Sequence, residues 1–213
     1  PGGAWGKGNQ DYSHDLMTEE AVNWITANRD QPMFLYLAYC IPHTHWQVPE
    51  LGEYAEKDWP EERFKVQAAM VSRMDRDIGR IKRLLEELGI EEDTLLIFNS
   101  DNGAHGQGGT REFFDTTGGL KGKKRLMTEG GVRSPMLAYW PGKVPAGAHS
   151  EHISAFWDFL PTMAELTGEP INGRTDGLSM LPTLRGEFEQ QKQHRYLYWE
   201  LYEGRANCGV RMG

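Results

Sequence analysis

Apolar residues recur along this chain in two rhythms. Between Pro60 and Gly89, the residues Phe64, Val71, Met74, Ile78, Ile81, Leu85 and Leu88 keep a three-or-four spacing with charged residues between them. That spacing predicts one long amphipathic helix with Gly89 as its stop. A shorter helix is expected up to about Asn28, entered through Asp15–Glu20 with Thr18 as N-cap and carried by Ala21, Val22, Trp24 and Ile25. A third runs over Asp158–Leu166, with Pro161 early and Gly168 as its stop. The second rhythm is continuous. The runs 33–39, 94–100 and 134–140 are mostly apolar stretches, the pattern of buried strands.

Helices and strands alternating at these lengths predict an α/β fold built on a mostly parallel sheet flanked by helices. From Gly168 to His194 the composition turns polar, and Tyr196–Tyr202 then reads as a strand of a separate antiparallel unit. The expected division is therefore 1–168 as part of a large α/β domain, and 169–213 as a linker and the start of a smaller subdomain. The opening Pro1-Gly2-Gly3 and the closing Val210-Arg211-Met212-Gly213, which stops as a strand begins, lead us to expect an internal fragment of a longer protein.

With 213 residues, 38% hydrophobic and 25% charged, the chain can build a real core. No apolar run approaches membrane-spanning length. The net charge of −8 argues against a nucleic-acid partner. Against that acidic background Lys121, Lys123, Lys124 and Arg125 form a compact basic cluster, which alone is more often a solvated loop than an anion site. The two cysteines, Cys40 and Cys208, are too few for a disulfide framework or a cysteine-rich zinc site. Cys40 is expected to be a buried thiol.

The chemistry concentrates at strand ends. The run 94–100 stops at Asp101-Asn102-Gly103, which on its own also reads as a hairpin turn. Placed at the end of a sheet strand, Asp101 and Asn102 offer two oxygen side chains suited to a hard divalent cation. Lys124 follows in a glycine-rich stretch leading to Glu129-Gly130-Gly131, and His43 stands just beyond the 33–39 run. A cation, an ammonium and an imidazole around one cleft would suit a tetrahedral oxyanion.

These segments, in this order, resemble the sulfatase family of the alkaline-phosphatase-like superfold. The resemblance rests on Ser100-Asp101-Asn102-Gly103, Leu120-Lys121-Gly122-Lys123-Lys124 and Glu129-Gly130-Gly131-Val132-Arg133-Ser134-Pro135. Pro42-His43, Trp140-Pro141-Gly142, Asp176-Gly177-Leu178 and Tyr198-Trp199-Glu200 support it. It implies an alkaline-phosphatase-like fold and hydrolysis of sulfuric esters, with Asp101 and Asn102 as two calcium ligands. It further implies Lys124, five residues before Glu129, as the sulfate-contacting lysine, with Lys123 the neighbouring alternative. His43 would bind sulfate and protonate the leaving alkoxide, and His105 would bind substrate.

The departures are specific. No Cys-x-Pro-Ser-Arg type motif, source of the family's formylglycine nucleophile, occurs in the chain, and the first acidic pair of calcium ligands is also missing. His45-Trp46 stands where many members carry proline and a leucine-like residue. The resemblance thus implies the C-terminal part of an arylsulfatase-like enzyme, with formylglycine in the missing N-terminal part and the isolated fragment inactive. Its substrate would be a sulfated glycan or small aryl sulfate, and its location periplasmic, secreted or lysosomal. The alternatives are a phosphomonoester or phosphonate hydrolase of the same superfold, and a non-catalytic anion- or glycan-binding module.

Overall fold

In a computed structural model, residues 11–203 and 207–212 are described. The chain divides into two compact units, one reaching to Thr94 and including Gln107–Phe114, the other comprising Leu95–Gly106 and the chain from Asp115 onward.

The first unit is helical. Helix α1 (Ser13–Asn28) packs on helix α2 (Glu62–Glu87), and Ile25, Ile81 and Leu85 meet in its core with Met33, Leu37, Leu84, Leu88 and Ile90 against them. The predicted end of α2 holds: Gly89 takes φ +69°, and its amide donates to the Glu86 carbonyl at 3.0 Å. The buried line of α2 is rotated from the expected one, however. Val71 is exposed and Asp77 is buried, because His14 of α1 meets Asp77 with Nε2 3.0 Å from Oδ2. Thr18 is not an N-cap. It lies inside α1, where its hydroxyl reaches back to the His14 carbonyl (3.1 Å) and meets the Tyr39 hydroxyl (2.8 Å). A short helix α3 (Thr110–Phe114) stacks Phe113 on Phe64, rings 4.2 Å apart, with Trp59 and Phe114 edge-on around them.

Residues 33–39 form no ladder among the described residues. Their alternation explains what the apolar run hid. Met33 and Leu37 pack on the α1–α2 core, whereas Phe34 and Tyr36 are each 78% exposed. The same alternation turns Cys40 outward, so the expected buried thiol is an exposed, free one; Cys208 is likewise free and exposed.

The second unit contains both sheets. Strand β1 (Leu96–Asn99) pairs antiparallel with β2 (Met136–Tyr139), Leu96 opposite Tyr139; between them in sequence lies the one-turn helix α4 (Glu129–Val132). Helix α5 (Phe159–Thr167) ends at Gly168 in the left-handed region, φ +75°, as its sequence predicts. After it come α6 (Leu181–Leu184) and an antiparallel hairpin of β3 (Leu197–Leu201) and β4 (Asn207–Arg211). The architecture is mixed α/β. The expected parallel pairing does not occur among the described residues, whose ladders are both antiparallel.

Asp158 organises this unit. It is 0% exposed, and its carboxylate accepts from the amides of Ala155 (2.7 Å) and Leu178 (2.8 Å) while His194 Nε2 sits 2.8 Å from Oδ1. Thr162 and Gln191 continue the pattern, bonding the backbone of Met180, Thr183 and Ser179. Long irregular backbone is thereby satisfied by buried side chains rather than by a ladder.

Candidate active site

The strand β1 ends where its side chains turn from apolar to polar. Ser134 beside β2 donates its hydroxyl to the Ser100 carbonyl at 2.7 Å, anchoring the exit of the strand. Asp101 is exposed and Asn102 half-buried. The Asn102 amide donates to Asp101 Oδ1 at 2.6 Å, so the two side chains face one another and leave one carboxylate and one amide oxygen clear of that bond. Those oxygens match what a hard cation binds, but two donors are fewer than the six to eight or so that calcium takes. Among the described residues no group of three or more His, Cys, Asp or Glu could hold a metal ion.

The glycines beside this pair dictate the next step. A Cβ on Gly103 would stand 2.1 Å from the Gly130 carbonyl oxygen, and one on Gly131 2.0 Å from the Leu126 carbonyl oxygen. Only bare backbone lets the strand-end loop and the lysine loop approach so closely. The approach is used: Gly103 N–H donates to Gly131 O (2.9 Å), Gly130 N–H to Lys121 O (2.8 Å), and Lys124 N–H to Ala104 O (2.9 Å). Gly122 adopts φ +90° beneath Thr128, closing the loop on itself. Lys124 is half-buried and Lys123 exposed. His105, one residue past Ala104, is half-buried in the same stretch.

His43 belongs to the other unit. It is exposed, with Nδ1 3.3 Å from the Thr44 carbonyl oxygen, and its amide donates to Cys40 O at 3.0 Å. Tyr12 donates its hydroxyl to Gln47 O at 2.7 Å, and the Trp46 ring covers Gly108, which would not admit a Cβ without displacing it. The structure therefore brings Asp101, Asn102, His105 and Lys124 into neighbouring loops of one unit, and holds His43 in an anchored loop of the other. Arg211, which the sequence did not single out, pairs with Glu129 at 2.5 Å. The Gly130-Gly131 doublet packs on the backbone of residues 121–126.

An oxygen pair and a basic loop are clipped side by side at the end of a strand. The comparisons with known proteins give the family. The family model "Sulfatase" matches residues 3–169, and the chain belongs to the sulfatase family. It is 32% identical to steryl-sulfatase from Homo sapiens over 198 residues, covering 89% of this chain and 33% of that protein. It is 33% identical to arylsulfatase A from Homo sapiens, covering 88% of this chain and 34% of that protein. Among solved structures it is similar to Ps i-CgsB (TM-score 0.84, 32% identity), over 96% of this chain and 45% of that one; a second structure of that protein holds k-i-k-neocarrahexaose. The chain spans about a third of the length of these curated relatives. No helix among the described residues is long and apolar enough to cross a membrane.

Proposed function

We propose that this chain is the C-terminal part of a sulfuric-ester hydrolase that removes sulfate from a sulfated glycan or a small aryl sulfate. The observation that carries this reading is the clip between Asp101-Asn102-Gly103-Ala104 and the Lys124 loop, in a chain of the sulfatase family. The similarity to a protein solved with k-i-k-neocarrahexaose supports a glycan substrate. The short span relative to the relatives supports a longer parent protein. There the large domain of residues 1–168 would gain the strands of a mostly parallel sheet, and residues 169–213 would open a small antiparallel subdomain. A periplasmic or secreted location fits such a substrate.

In this reading Asp101 and Asn102 would supply two of the oxygens for a calcium ion, and the remaining ligands and the formylglycine nucleophile would come from outside these 213 residues. When bound, the cation offsets charge on the sulfate oxygens. Lys124 donates a charge-assisted hydrogen bond to the same group and holds it for attack. By the family resemblance His43 would be the group that protonates the departing alkoxide oxygen, so that the alcohol leaves neutral. His105 lines the substrate side of the lysine loop.

The test is substrate choice by the complete protein. With calcium present, 4-nitrophenyl sulfate should be hydrolysed at least about 100-fold more efficiently than 4-nitrophenyl phosphate, a margin that differential transition-state binding can supply. Preference for the phosphate ester would overturn the assignment in favour of a phosphoester hydrolase, and no turnover of either would favour an anion-binding module.

A further inference from the structure

The lysine loop is held from two sides. One side is the glycine clip to the strand-end loop. The other is the hairpin β3–β4, which the loop meets at alternate residues. Arg125 Nη2 lies 2.7 Å from Glu203 Oε1 at the end of β3. Met127 fills the space above Gly209, where a Cβ would come within 2.8 Å of the Met127 Cβ. Glu129 Oε2 accepts from Arg211 Nη1 at 2.5 Å. Residues 125, 127 and 129 are thus taken up by the hairpin, and Lys124 stands at the head of that row.

The three contacts are unequal. Arg125 and Glu203 are both largely exposed, and such pairs contribute little. Arg211 and Glu129 are about two-thirds covered, and Arg211 Nε is buried with no hydrogen-bond partner of its own. The Arg211 guanidinium is therefore held in place chiefly through Glu129, the first residue of α4. Gly209 sits mid-strand opposite Trp199, where glycine is the weak choice for a strand and is explained by the close approach of Met127.

We propose that Arg211 and Gly209 are positioning residues: through Glu129 and Met127 the C-terminal hairpin sets where the Lys124 loop stands against the Asp101–Ala104 loop. The proposal rests on the reading of Lys124 as an anion contact only for its functional consequence; the mechanical coupling stands or falls on its own. It assigns the β3–β4 hairpin a part in anion binding although no residue of the hairpin need touch the substrate.

The test uses the complete protein with Arg211→Met, Arg211→Lys and Gly209→Ala, read by residue-resolved amide exchange and by inhibition with inorganic sulfate. Arg211→Met should speed exchange of the Lys124 amide, which donates to Ala104, by about five- to tenfold, the weight of one half-buried ion pair, while the amides of α5 are unchanged. Sulfate should inhibit correspondingly less well, and Arg211→Lys should recover most of both effects. Unchanged Lys124 exchange, or equal acceleration throughout α5, would overturn the proposal, since the second result marks a merely structural role. Faster exchange with unaltered sulfate inhibition would uphold the coupling and tell against Lys124 as a sulfate contact. Should Arg211→Met fail to fold, the charge exchange Glu129→Arg with Arg211→Glu gives the same reading: restored protection at Lys124 supports the coupling, and continued fast exchange refutes it.

Discussion

The amide of Lys124 donates to the carbonyl of Ala104 across 2.9 Å, two residues beyond Asn102. That bond joins a basic loop to the end of an apolar strand, and the glycines around it exist to let it form. Gly103 is one of the tight ones. Gly103→Ala would drive a methyl into the Gly130 carbonyl oxygen, 2.1 Å away, with backbone on both sides and no flexible side chain to yield. We expect a loss of about 2–4 kcal/mol, within the range for overpacking at a rigid contact. Chemical denaturation checks it; a variant within about 0.5 kcal/mol of the parent, the ordinary range for an inconsequential surface change, would show that the clip is slack.

Asp158→Ala should be more costly than any surface change in the second unit. It removes a fully buried carboxylate and leaves the amides of Ala155 and Leu178, and His194, without their acceptor. Breaking a buried, hydrogen-bonded pair from one side typically costs about 3–5 kcal/mol. The midpoint of urea unfolding measures it, and a cost below about 1 kcal/mol would mean that water replaces the carboxylate freely.

Acid should weaken the first unit in a defined order. Burial holds His14 below its ordinary value of 6.5 despite the carboxylate of Asp77, and its Nδ1 has no partner to receive a proton. The unfolded chain therefore binds a proton more readily than the folded one. Stability should fall as pH drops below about 6.5, by at most about 1.4 kcal/mol per pH unit for this one group. The Arg73 hydrogen bond holds Asp15 below its ordinary 3.8, so its contribution is present above that value and lost as pH falls through the lower folded value. His14→Gln should flatten the upper step alone. A stability that is level from pH 7 to pH 5 in the parent chain would contradict the assignment.

Helix ends and the end of β1 were legible in the sequence because they are local: Gly89 and Gly168 close helices through their own backbone, and Asp101-Asn102 lies just past the strand. What escaped was long-range. Nothing in a helical period marks Asp77 as buried, since its reason is His14, 63 residues away; nor does the run at 33–39 tell a strand buried on two faces from one that turns Phe34 and Tyr36 outward. Thr18, Cys40 and Arg211 were misjudged or passed over for the same reason: each is placed by a partner the local sequence does not contain.

Those outward residues carry their own consequence. Phe34, Tyr36, Leu137, Tyr202 and Val210 are all more than half exposed on the isolated chain. Exposed aromatic and aliphatic side chains beside unpaired extended backbone favour association. Sedimentation of the 213-residue chain should show oligomers, reduced by Phe34→Lys with Tyr36→Lys. A monodisperse monomer at tens of micromolar, the ordinary range for such association, would show the chain to be self-sufficient.

In the proposed reading this chain holds the anion-clamping half of a sulfatase site, and the nucleophile lies outside its 213 residues. The most direct measurement is turnover of an aryl sulfate with calcium, by the 213-residue chain alone and by the complete protein, each with and without Lys124→Ala. The chain alone should show no turnover. Turnover by the complete protein should fall about 100- to 1,000-fold on Lys124→Ala, the usual loss when one charge-stabilising donor is removed. Turnover by the isolated chain that Lys124→Ala abolishes, or a complete protein indifferent to that substitution, would contradict it.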